Sequence, residues 1–221
     1  MNLRIQISVL GLLLASNVMA KGNEAIAVSE LALPQDFSTQ PASIEVKQMA
    51  QWVIESGDNT KLPFILVDKI NAKIYAFNAA GQFQGATPVL LGLGRGDRSV
   101  AGIGRRTFSQ IPPKDRITPA GRFVSSLSLG QHMEEILVID YADALSMHPV
   151  IKGTPKERRS ERLQSITSTD NRISYGCINV PVLFFSTIIS PAFKHSNGIV
   201  YILPEMSPAM KWFATGKLAG K

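Results

Sequence analysis

Pro63-Phe64-Ile65-Leu66-Val67-Asp68-Lys69-Ile70-Asn71-Ala72-Lys73-Ile74-Tyr75-Ala76-Phe77 reads as two short strands joined by Lys69-Ile70-Asn71. Both runs are rich in β-branched and aromatic residues, the composition of a strand with little exposed face. Asn78-Ala79-Ala80-Gly81 supplies the next turn and leads into residues 82–91. Further on, Thr118-Pro119-Ala120-Gly121 sets Pro and Gly at turn positions before a strand that starts at Phe123-Val124. Gly198-Ile199-Val200-Tyr201-Ile202-Leu203, stopped by Pro204, is the last core strand. A succession of hairpins of this kind argues for a mainly β fold of antiparallel sheets with a few helices.

The rest of the chain frames that sheet. Of its 221 residues, 45% are hydrophobic and 18% charged, a balance that suits one globular domain with a short extension. Residues 1–20 carry one early charge, Arg4, then an apolar core around Leu12-Leu13-Leu14 and a small-residue ending, Val18-Met19-Ala20. This is the pattern of a cleavable secretory signal, and its core is too short for a comfortable transmembrane span. Residues 21–61 form an N-terminal extension, with an extended lead-in to residue 42 and a helix capped by Ser43. Val46, Met49, Ala50 and Val53 share one face of that helix, and Gly57-Asp58-Asn59 ends it. Residues 62–204 are the main domain, and residues 205–221 are a tail with a short helix near Met210, Trp212 and Phe213. Net charge is +6, of which Arg4 would leave with the signal. No Lys/Arg run is interleaved with aromatics, so nucleic acid is set aside as a partner and anionic cell envelope is preferred.

Chemistry concentrates in Arg172-Ile173-Ser174-Tyr175-Gly176-Cys177-Ile178-Asn179-Val180-Pro181, which holds the chain's one cysteine. Gly176 permits a tight turn with the thiol at its tip, and Pro181 fits the first turn of a helix. A thiol near such a helix start would be drawn toward the reactive thiolate. A small buried hydrophobe is the alternative. An exported chain with one cysteine cannot form an internal disulfide, so an unpaired thiol there calls for a reason. Three histidines are present. His148 stands at a strand end and is the candidate base, whereas His132 and His195 lie in polar loops and read as surface.

Two other stretches are candidates for binding. Gly92-Leu93-Gly94-Arg95-Gly96-Asp97 lacks the strand–loop–helix setting of a phosphate loop and reads as a mobile Gly-rich loop. It continues to Arg116 as a long lid, where Arg105, Arg106 and Arg116 are candidates for substrate carboxylates. No His/Cys/Asp cluster has metal-ligand spacing, and no cofactor is called for.

Three pieces in order, Thr118-Pro119-Ala120-Gly121-Arg122-Phe123, Met147-His148 and Ser174-Tyr175-Gly176-Cys177-Ile178-Asn179, resemble the L,D-transpeptidase catalytic domain, the YkuD-like family of bacterial cell-wall enzymes. The resemblance covers roughly residues 62–204. It implies a YkuD-like fold and an exported, periplasmic or envelope enzyme that acts on peptidoglycan stem peptides through a Cys177 thioester. His148 would be the base, and the Gly176 and Cys177 N–H groups the oxyanion donors. Tyr175, Ser174, Asn179, Arg105 and Arg106 would contact substrate, and carbapenem-type β-lactams would inhibit. A hydrolase using water as acceptor and a silent wall-binding module are the alternatives. Three features depart from the family: Tyr175 stands where a second histidine is frequent, Pro149 follows His148, and residues 152–171 lengthen the gap to Cys177. That segment, with Lys156-Glu157-Arg158-Arg159-Ser160-Glu161-Arg162, reads as a solvated insertion over the site.

Overall fold

The computed structural model describes residues 35–214. The expected signal segment, residues 1–20, the first part of the lead-in and the end of the tail, residues 215–221, lie outside the described residues. The chain folds into β1 (Phe64–Asp68), β2 (Lys73–Phe77), β3 (Phe83–Pro88), β4 (Leu91–Gly92) and β5 (Gly121–Leu129). There follow β6 (Glu135–Asp140), β7 (Leu145–Pro149), β8 (Arg172–Ser174), β9 (Ile178–Val180) and β10 (Gly198–Ile202).

Eight of these strands make one sheet in the order β3-β2-β1-β10-β5-β6-β7-β9, and β4 pairs with β8. The mainly β expectation holds, but the sheet is mixed. β1 runs parallel to β10, and β7 parallel to β9. The cause is connectivity. Tight turns give antiparallel neighbours, whereas long crossovers return the chain in the same direction. Residues 150–177 form one such crossover between β7 and β9. Past β3, Leu90 and Asn179 exchange both backbone hydrogen bonds at 2.9 Å, so the two ends of the sheet meet and it nearly closes into a barrel.

The strands β1, β2 and β10 are covered on both faces, which explains their unbroken apolar runs. One face contributes Ile65, Val67, Ile74, Val200 and Ile202 to a core shared with Met147, Ile178 and Val180. Phe185, Ile189 and Phe193, from the helical stretch after Pro181, complete it. The other face sets Phe64, Leu66, Tyr75, Phe77 and Tyr201 against Val46, Met49, Ala50 and Val53 of the helix Ile44–Ser56. That helix begins and ends as its sequence indicates. The Ser43 hydroxyl accepts from Val46 N at 3.3 Å, and Gly57 closes it with φ +66°. Ser43 also donates to Asp68 Oδ2 at 2.9 Å, which anchors the helix start to the end of β1.

The lead-in before Ser43 is not simply extended. Gln35–Ser38 is a helical turn whose Phe37 is fully buried. The Phe37 ring meets the edges of Tyr75 and Phe77 at centroid distances of 5.7 and 4.9 Å. A lone Phe among polar residues gave no periodicity from which to expect this. The tail helix Ala209–Ala214 forms as expected, with Phe213 packed on Tyr201 at 6.0 Å.

Because Phe37 is core, Phe37→Ala should lower unfolding stability by about 3–5 kcal/mol, the range for losing a buried aromatic. Denaturant melts of the two proteins measure this, and a loss near zero would mean the segment is not part of the folding unit.

Candidate functional site

Cys177 sits at the tip of a turn between β8 and β9, and three residues build that turn. Gly176 adopts φ +136°, and a Cβ there would lie 2.8 Å from the Ile117 carbonyl, so a side chain is excluded twice over. The Ser174 hydroxyl accepts from Gly176 N at 3.1 Å and donates to Cys177 O at 2.6 Å. Thr118 Oγ1 donates to Gly176 O at 2.7 Å and accepts from Gly92 N at 2.9 Å. The conformation that holds the thiol is therefore fixed from two sides.

The thiol does not stand at a helix N-terminus. Cys177 leads directly into β9, and the helix starts only at Val182. A helix dipole fades within its first turn, so whatever activates this thiol must come from elsewhere.

It comes from β7, whose parallel register with β9 sets His148 opposite Asn179. His148 Nδ1 lies 2.8 Å from the Pro149 carbonyl. A carbonyl can only accept, so Nδ1 carries the proton and Nε2 is left for proton traffic. Ser146, two residues earlier on the same face of β7, donates to Cys177 Sγ at 3.4 Å. The thiol itself reaches Ala144 O at 3.6 Å.

Burial pushes the Cys177 thiol up, but hydrogen bonds from His148 and Ser146, with the imidazole's charge, outweigh it and leave the thiol below its ordinary value. Burial likewise pulls His148 down, while its bonds to Cys177 and the Pro149 carbonyl prevail and leave it raised. Both shifts favour a thiolate–imidazolium pair.

No known family model matches this chain, and neither does any curated protein.

Several candidates occupy places other than the expected ones. Ser174 and Asn179 are only 3% and 1% exposed, with side chains spent inside the protein, so neither is available to touch a substrate. The Gly176 N–H is likewise engaged by Ser174 and is not free for the oxyanion role expected of it. Arg105 and Arg106 are exposed, and Arg106 pairs with Asp115 at 3.7 Å; neither lines the cleft at Cys177. Arg116 does not line it either but sets its guanidinium 3.9 Å from the centre of the ring of Tyr175, which does. Phe108 meets the same ring at 4.7 Å, so Tyr175 is gripped through its faces. His132 and His195 are exposed, as their loops suggested.

The Gly-rich loop is pinned rather than mobile. Asp97 is buried, and Lys69 Nζ donates to Gly96 O at 2.6 Å and to Asp97 Oδ1 at 2.8 Å. The insertion forms the helix Arg159–Gln164, and it is not wholly solvated: Arg159 reaches Asn179. Among the described residues, no group of three His, Cys, Asp or Glu is placed to hold a metal ion. None of their helices is long and apolar enough to cross a membrane. Sequence reading missed Ser146, although its i, i+2 spacing from His148 on one strand was a usable signal.

Alkylation of Cys177 by iodoacetamide, followed against pH, should show a midpoint below the roughly 8.5 of a free thiol. In His148→Ala, burial is less opposed, so the midpoint should move upward. A midpoint unchanged by that substitution would show that His148 does not act on the thiol.

Proposed function

We propose that this protein is an L,D-transpeptidase of the YkuD-like family, exported to the periplasm or cell envelope, where it acts on peptidoglycan stem peptides. The observation that carries the reading is the Cys177–His148 pair, with the imidazole Nδ1 held by the Pro149 carbonyl and the thiol lowered. Supporting it, Thr118 and Ser174 hold the backbone carbonyls of Gly176 and Cys177 in the thiol turn, and Ser146, two residues before His148, donates to the Cys177 sulfur.

In this mechanism the Cys177 thiolate attacks the carbonyl carbon of an L-centre in the donor stem. The Cys177 N–H donates to the oxyanion as it forms. The amide C–N bond breaks, the imidazolium gives its Nε2 proton to the departing D-residue amine, and a thioester remains. An acceptor amine then attacks the thioester, loses a proton to the neutral imidazole and expels the thiolate. No step requires a metal or cofactor.

Incubation with purified muropeptides, read by mass spectrometry, tests the reading. New crosslinks are expected, and Cys177→Ala should abolish them while remaining folded. Shortened or separated stems would instead mark a hydrolase that uses water as acceptor. No change, with retained binding to sacculi, would mark a silent module. Carbapenems should add once to the intact protein and not to Cys177→Ala, because an activated thiolate opens a strained amide as it opens a peptide. An adduct on both proteins would place the reactive group elsewhere.

Tyr175 serves this chemistry through its ring, given its contacts with Arg116 and Phe108. Tyr175→Phe should therefore keep activity within about tenfold, since one neutral hydrogen bond contributes roughly 0.5–1.5 kcal/mol. His148→Ala should cost about 10²–10⁴-fold, the usual worth of general-base help. Equal losses in the two variants would remove His148 as the sole base.

A further inference from the structure

The segment that lengthens the gap between His148 and Cys177 sends one side chain into the site. Arg159 Nη1 donates to Asn179 Oδ1 at 2.5 Å, and Asn179 Nδ2 lies 3.3 Å from His148 Nε2. We propose that Arg159 is a positioning residue for His148, acting through Asn179 to hold the imidazole as an acceptor at Nε2. The proposal rests on Cys177 and His148 being the reacting pair, and not on peptidoglycan being the substrate.

Donor chemistry carries the argument. A guanidinium only donates, so it admits one orientation of the Asn179 amide: oxygen toward Arg159, NH₂ toward His148. The flipped amide would set two donors against each other on the arginine side. In the permitted orientation His148 meets a donor at Nε2. That suits the neutral ring, whose Nδ1 proton is already committed to the Pro149 carbonyl, and opposes the imidazolium.

The insertion is built to deliver this one arginine. Glu157 Oε2 accepts from Arg159 Nε at 2.6 Å, and the Arg159 side chain is 10% exposed despite its charged neighbours. Gly153, at φ +59°, lies beneath the clamp, and a Cβ there would collide with Glu157 Oε2 and come within 2.8 Å of Arg159 Nε. Arg159 and Glu157 come from the insertion, Cys177 from the turn before β9, and Glu134 from the β5–β6 turn. These are the charged and titratable groups that bear on His148, directly or through Arg159. Cys177 draws the ring toward imidazolium; Arg159 draws it back. The balance matters most in the second half of the proposed reaction, when the thiolate is gone into the thioester and a neutral imidazole must deprotonate the incoming amine.

A histidine titration by NMR tests this without any substrate. The chain has three histidines, and the His148 resonance is identified by its loss in His148→Ala. The titration is done in Cys177→Ala, where no thiol is coupled to the ring. There Arg159→Gln should raise the His148 midpoint by about one pH unit, the effect of removing a nearby like charge and releasing the amide. Arg159→Lys keeps the charge but not the fork that fixes the amide, and should fall between the two. An unmoved midpoint in folded Arg159→Gln overturns the proposal. If that variant does not fold, Arg159→Lys decides alone, and a midpoint equal to that with arginine overturns it. Failure on muropeptides would count against the proposed substrate and leave the outcome of this titration unaffected.

Discussion

The arrangement around Cys177 depends on where one buried ammonium sends its protons. The Lys69 side chain is 0% exposed, and Nζ donates to Gly96 O at 2.6 Å, Asp97 Oδ1 at 2.8 Å and Thr118 O at 3.0 Å. Removing a cation from water costs several kcal/mol unless it is paired and every proton is used. All three are used here. Burial draws the Lys69 pKa down, and the bond to Asp97 with the charge of Glu205 resists it. Glu205 also accepts from Arg172 Nη2 at 2.7 Å and from Gly96 N at 2.9 Å, while Arg172 Nη2 donates to Lys69 O at 2.7 Å. Two buried cations thus face two anions, and the half-exposed Arg95 adds a third contact to Glu205 at 3.2 Å. Through Thr118 the network reaches the site, because that residue's carbonyl serves Lys69 and its hydroxyl holds the Gly176 carbonyl. The thiol turn is therefore fastened to Lys69, the most deeply buried charged residue among the described residues.

Elements that bury a continuous face could be read directly. Phe64–Val67 and Gly198–Ile202 are apolar without interruption because both faces are covered, and no polar outer face is needed. The helix Ile44–Ser56 announced itself through Ser43 and Gly57. Strand direction was not readable, since it belongs to the crossovers and not to the strands. The helix after Pro181 forms at Val182, but the thiol is not at its start, for a local reason. Ile178-Asn179-Val180 is β-branched on both sides of Asn179 and pairs as a strand before Pro181 can begin a helix.

Of the site, Cys177, His148 and the Gly176 turn were legible because each is a residue type with few structural uses at such a position. Asn179 was legible only in part. A buried amide between two apolar strand residues demands partners, but sequence does not say that they are His148 and Arg159. Arg159 itself gave no signal. Within Lys156–Arg162 every charge reads as solvated, and only the fold singles out the one that turns inward. Arg105, Arg106 and Arg116 were all candidates by their loop, and of the three it is Arg116 that stacks on Tyr175.

The place of β10 has a consequence for how the molecule is made. This strand lies between β1 and β5 in the middle of the sheet, yet it is the last strand among the described residues. Phe64 must find Ile199, and Ser125 must find Gly198. Contacts so remote in sequence slow folding, because the intervening loop must be closed before any of them is rewarded. Until residues 198–202 dock, β1–β3 and β5–β7 lack the strand that joins them. Glu205, which completes the charge quartet, arrives later still. Cys177 and His148 thus precede in the chain the strand that completes the frame around them.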